Sequence, residues 1–149
     1  MDKLLLFPVL KPDLNKLEDA YEVAGDVATA SGGETIRVPK FFQYDGASIP
    51  PPAWPLIGTP FQPRFMTAAV FHDWLYHTHQ LTKKKTDRLF YDLLVASRVN
   101  VAKAALMLAA VEAFGDAYWQ NDAEDKAYLK RLAVRIRKDG RDPADYGMS

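Results

Sequence analysis

Between Val38 and Pro63 the chain reads "VPKFFQYDGASIPPPAWPLIGTPFQP", with seven prolines in twenty-six residues. Proline removes a backbone donor and its ring clashes with the preceding turn, so this segment cannot hold a long helix. It is not a solvated linker either. Phe41, Phe42, Tyr44, Trp54, Ile57 and Phe61 carry too much apolar area to leave in water. An ordered extended loop lying on the core is expected, and it divides the chain into two kinds of sequence.

Before the loop the pattern is strand-like. Tyr21–Thr29 alternates weakly, Ser31-Gly32-Gly33-Glu34 is a turn signal, and Thr35–Val38 is a short β-type run. Together they predict a hairpin. After the loop the pattern is helical. A first helix is expected from Pro63 or Arg64 to about Thr78, since Pro suits a first helical position. A second should start near Thr82 or Thr86, either of which can cap it, and end near Asn100. A third, "VAKAALMLAAVEAFGDAYW", is apolar almost all round and should be the buried central helix. A fourth spans about Ala123–Lys138 with Leu129, Leu132, Ala133 and Ile136 on one face. The tail "GRDPADYGMS" reads as frayed.

The expected fold class is therefore α+β: an N-terminal β-hairpin region and proline-rich ordered loop, followed by a bundle of about four helices. A chain of 149 residues suits one domain with one core. The expected layout is a β/loop part over about 1–62, a helical part over about 63–138 and a frayed tail over 139–149.

Charge and composition exclude several functions. Nineteen basic residues balance nineteen acidic ones, which argues against a dedicated duplex nucleic-acid binder. There is no Cys, so disulfides and thiolate metal sites are absent. No apolar run approaches the length of a membrane span, so the chain is not expected to be transmembrane. The N-terminal apolar run is broken by Pro8 and lacks a small-residue cleavage site, so no secretory signal is expected.

The chemistry concentrates in "AAVFHDWLYHT", Ala68 to Thr78. Residues three and four apart share a helix face, so His72 and Asp73 both neighbour Tyr76. Asp87 shares the face of Phe90 and Leu94 on the next helix and should point inward. A short connection would bring it to His72 or Tyr76. A neutral His is the natural general base near pH 7, and a carboxylate on its other ring nitrogen fixes the tautomer. Asp73 points about 100° round the helix from His72 and could hold a hard cation with loop carbonyls. The same residues could equally form a satisfied polar cluster that fixes helix packing.

Two resemblances meet here. "VPKFFQYDGASIPPPAW", "AAVFHDWLYHT", "TDRLFYDLL" and "AFGDAYW", in that order, resemble a family of small uncharacterised bacteriophage and prophage proteins. This implies a phage origin and supplies no activity. "HDWLY" followed by "TDRLFYDLL" is similar to the catalytic helices of calcium-dependent sn-2 phospholipases. That resemblance implies His72 as the base activating water, Asp87 orienting it, Tyr76 supporting the site and Asp73 binding calcium. Those enzymes take calcium carbonyls from a glycine-rich loop, whereas Gly46 and Gly58 stand singly here. Asp45 is the candidate extra ligand, the alternative being an Asx turn on "GASIP".

Other signals are weaker. His72, His77 and His79 lack the spacing of a helical zinc pair. Ser48 is not in a G-x-S-x-G elbow. "KKKTD", Lys83 to Asp87, reads as a solvated helix start. Two functions fit these residues. One is a phage-encoded hydrolase acting on an ester at the bacterial envelope, phospholipid first. The other is a non-catalytic virion or tail-assembly protein whose partners are other virion proteins. Either places the chain in the virion, or in the host cytoplasm before assembly or lysis.

Overall fold

The computed structural model describes residues 6–9, 20–44, 54–57, 63–119 and 122–148. The fold is α+β, with short strands first and four long helices after them. The chain divides into two compact units: residues 1–45 together with 121–149, and residues 46–120. Asp45, Ser48 and most of the proline-rich loop lie outside the described residues.

Among the described residues, the strands all lie in the first unit. β1 (Leu6–Val9), β2 (Ala20–Val23) and β5 (Gln43–Tyr44) form an antiparallel sheet in the order β1-β2-β5, with Leu6 opposite Val23 and Tyr21 opposite Tyr44. β3 (Val27–Ser31) and β4 (Glu34–Val38) form a separate hairpin. Its turn places Gly32 and Gly33 at φ of +56° and +85°, conformations that only Gly adopts readily in succession. The expected hairpin therefore exists but is shorter at its first strand. Tyr21–Val23 pairs in the other sheet, and Gly25-Asp26 makes the break.

α5 (Ala123–Lys138) belongs to the same unit. Asp122 caps it by accepting from the Asp125 amide at 2.9 Å, and Arg135, Arg137 and Lys138 complement the helix dipole at its end. Leu132 and Ile136 are buried, and the Tyr128 hydroxyl accepts from the Gln43 amide at 2.9 Å.

The tail is folded rather than frayed. Asp142 caps a 3-10 turn over Pro143–Tyr146, Pro143 starts it, and Gly147 ends it at φ +75°. Tyr146 and Met148 are buried. The Tyr146 hydroxyl donates to Asp26 Oδ2 at 2.6 Å, and Arg141 and the Lys40 amide both donate to Asp26 Oδ1. A string of Asp, Pro and Gly has the composition of a loose end, yet here each residue has a capping or turn role.

The second unit holds α1 (Trp54–Ile57), α2 (Pro63–Thr78), α3 (Lys83–Ala96) and α4 (Val101–Phe114). Thr82 caps α3, accepting from the Lys85 amide at 3.2 Å, and Asn100 caps α4 through the Ala102 amide at 2.9 Å. Thr86, the other candidate cap, is buried inside α3.

The central helix is α2, not α4. Ten of its sixteen residues are buried, Phe65 and the unbroken run from Ala68 to Tyr76. α4 buries only Ala104, Met107, Ala110 and Val111, while Val101, Leu106 and Phe114 are more than half exposed. Hydropathy misled because alanine fits either setting: its methyl adds little area, so an Ala-rich face costs little in water. Among the described residues no helix is long and apolar enough to cross a membrane.

Candidate active site

Burial of the middle of α2 carries His72, Asp73 and Tyr76 inside with their apolar neighbours. The four-residue connection 79–82 turns the chain back, so the first turns of α3 pack against the last turns of α2. Asp87 arrives there on the inward face with Leu89 and Phe90.

The carboxylate is the hub. His72 Nε2 lies 2.7 Å from Asp87 Oδ1, and the Tyr76 hydroxyl donates to the same oxygen at 2.7 Å. Lys83 Nζ donates to the other oxygen, Oδ2, at 2.8 Å. The His72 ring sits between aromatic neighbours, 4.2 Å from Tyr76 and 4.7 Å from Phe90 by ring centroids. Trp119 meets Tyr76 edge-on at 5.0 Å and stacks flat on His79 at 4.0 Å. The His72 side chain has no exposed surface, and Asp87 has about 1 %.

Each partner has a defined protonation. Burial pushes the His72 imidazole below its ordinary value, the bond and charge of Asp87 oppose this, and the Lys83 charge adds to it. The net effect keeps the ring neutral near pH 7. Burial pushes the Asp87 carboxyl up, but His72, Lys83 and Tyr76 outweigh it and hold the group below the usual range. Burial and Asp87 together push the Tyr76 hydroxyl well up, so it stays a donor. An ionised carboxylate only accepts, so the neutral ring must carry its proton on Nε2 and its lone pair on Nδ1. The network thus selects the tautomer.

These shifts set an acid dependence. The unfolded His72 ring takes up its proton near pH 6.5 while the buried ring does not, so stability falls as pH drops from 6.5 through the folded value. Asp87 and Asp26 both titrate below the ordinary 3.8 when folded. Their contributions are present above that value and lost as pH falls through the folded ones. Urea unfolding at pH 7, 5.5 and 4 is expected to give declining stability. Equal stability at pH 7 and 5.5 would show that His72 is not buried neutral.

Gly115 forms the roof. It follows α4 and begins a 3-10 turn over Gly115–Ala117. A Cβ there would stand 2.6 Å from the Tyr76 hydroxyl and 3.4 Å from Lys83 Cε and Nζ. The hydroxyl cannot retreat without leaving Asp87. Gly115→Ala is expected to cost about 1–3 kcal/mol by overpacking. Thermal unfolding checks this; an unchanged midpoint would mean that the roof yields freely.

The candidate residues fare differently. His72, Tyr76 and Asp87 are brought together. Asp73 is buried on α2, 2 % exposed, and makes no bond to Asp87. Asp45 lies outside the described residues. Among the described residues no group of three or more His, Cys, Asp or Glu could hold a metal ion, and His79 is stacked on Trp119. Lys83, Gly115 and Asp116 were not singled out from sequence. Only the i, i+4 spacing of Lys83 and Asp87 signalled any of them.

The family model described as "Protein of unknown function (DUF1353)" matches residues 21–111. The chain belongs to the DUF1353 family. The DUF1353 match spans β2 to α4 and so includes His72, Tyr76, Lys83 and Asp87, while Gly115 and Trp119 fall beyond it. The chain is 48% identical over 71 residues to the uncharacterized protein y4iH of Sinorhizobium fredii (strain NBRC 101917 / NGR234), covering 48% of this chain and 30% of the relative. It is 40% identical over 78 residues to the uncharacterized protein y4jT of the same organism, covering 52% of this chain and 23% of the relative. The chain thus spans under a third of the length of either relative. No solved structure matches it.

Proposed function

We propose that this DUF1353 chain is a phage-encoded hydrolase of phospholipase-like type, acting on an ester at the bacterial envelope as a virion component or at lysis. The phage origin rests on the four ordered sequence blocks. The activity rests on one observation: a single oxygen of Asp87 takes both His72 Nε2 and the Tyr76 hydroxyl. That arrangement puts the ring proton on Nε2 and holds the ring in one orientation.

In this reading Nδ1 takes a proton from water as the water oxygen adds to the ester carbonyl carbon. Asp87 stabilises the imidazolium that forms. When the carbonyl re-forms, the ester C–O bond breaks and Nδ1 returns the proton to the leaving alcohol. Tyr76 keeps the carboxylate in place throughout. Asp73 supplies a buried carboxylate oxygen of the kind a hard cation takes, and calcium bound there would stabilise the oxyanion.

Complete burial of the His72 side chain favours a second reading, in which the cluster fixes α2 against α3 in a non-catalytic virion or tail-assembly protein. Fatty-acid release from phosphatidylglycerol and phosphatidylethanolamine vesicles, with calcium or with EDTA, separates the two. Calcium-dependent release, with a thermal shift on calcium that Asp73→Asn abolishes, is the expected result. No release under either condition overturns the phospholipase reading and leaves the packing role.

A further inference from the structure

Lys83, Lys84 and Lys85 open α3 as three like charges, yet only the first turns inward. Lys84 and Lys85 are exposed, and neither side chain has an ion-pair partner among the described residues. The Lys83 side chain is 20 % exposed and meets three acceptors. Asp87 Oδ2 is at 2.8 Å, the Val111 carbonyl at 3.3 Å and Asp116 at 3.5 Å. The Val111 carbonyl lies in the last turn of α4, where the helix dipole favours a cation. Gly115 closes over the ammonium and the Tyr76 hydroxyl together.

A carboxylate held at one oxygen can still swing about its Cβ–Cγ bond, because that torsion is broad. Here Oδ1 serves His72 and Tyr76, and Lys83 ties Oδ2 from the opposite side. We infer that Lys83 is a positioning residue of the site, fixing the Asp87 carboxylate plane so that Oδ1 stays on His72 Nε2. Its relevance to catalysis rests on the hydrolase reading above; the positioning itself does not.

The readout is the His72 Nε2–H proton, observed by NMR at a fixed neutral pH without substrate. The chain has three histidines, so the signal is assigned by its loss in His72→Gln. Lys83→Met removes the tie while keeping the chain length. It is expected to shift or broaden the signal and to speed its exchange with solvent about tenfold, as for a weakened bond to a charged group. Lys83→Arg, which keeps charge and donors, should restore the signal, and Lys84→Met should leave it unchanged. Folding is checked by tryptophan fluorescence, and Lys83→Gln is read the same way should the Met variant not fold. An unaltered signal in the folded Lys83 variant overturns the inference, as does an equal effect from Lys84→Met. A wild type that hydrolyses no ester while Lys83→Met still moves the signal overturns the hydrolase reading and leaves Lys83 in this role.

Discussion

Replacing Asp87 by Ala is expected to cost about 3–5 kcal/mol, the range for breaking a buried charged pair by removing one partner. Three donors lose their acceptor at once: His72 Nε2, the Tyr76 hydroxyl and the Lys83 ammonium. Two of these groups are buried and cannot turn to water. Asp87→Asn should cost less, because its amide oxygen can still accept from His72 and Tyr76. Its NH2 would face the Lys83 ammonium, donor against donor. The order wild type, Asn, Ala is therefore expected, with the Ala midpoint lower by roughly 10–20 °C. All three tryptophans, Trp54, Trp74 and Trp119, fall in residues 46–120, so indole fluorescence follows this unit. Loss of under 1 kcal/mol in Asp87→Ala would show that the three donors find other partners.

Much of this site was legible in sequence because it is local. His72 and Tyr76 lie one turn apart, Asp87 follows after a short connection, and its offsets to Phe90 and Leu94 aim it inward. Helix periodicity alone brings those three together. Lys83 was not legible, since a run of lysines at a helix start has the composition of a solvated end. Its inward turn depends on the Val111 carbonyl and Asp116, which lie 28 and 33 residues further along. Gly115 escaped for a related reason. A glycine after an apolar helix reads as a terminator, and its packing on Tyr76 is a tertiary fact.

The fold shows the same division. Strands, cap residues and the four long helices follow local rules, and Asn100 and Asp122 cap where such residues should. The exchange of roles between α2 and α4 does not. Both are rich in apolar residues, and only the packing decides that the one carrying His72 and Asp73 goes inside. Buried polar residues within α2 were the available hint, because a titratable pair is placed in a core only with partners. The tail was misjudged by composition, although Asp142, Pro143 and Gly147 occupy cap, first-turn and αL positions in order.

On the proposed hydrolase reading, the largest kinetic effect is expected at His72. A positioned general base contributes on the order of 10²–10⁴-fold in rate. Gln is close to His in size and can still hydrogen-bond Asp87 through its amide NH2, but it cannot take a proton near neutral pH. His72→Gln should therefore lower the rate of ester hydrolysis by roughly that factor while retaining most of the fold. Arg88→Met, which removes an exposed pair with Asp92, serves as a control expected to keep full activity.

The most direct measurement compares fatty-acid release from phosphatidylglycerol vesicles by wild type and His72→Gln at pH 7 with calcium present, both first shown to be folded by tryptophan fluorescence. Release by the wild type and a fall of at least about 100-fold in the variant is the expected result. Equal release by the two proteins would contradict a base at His72.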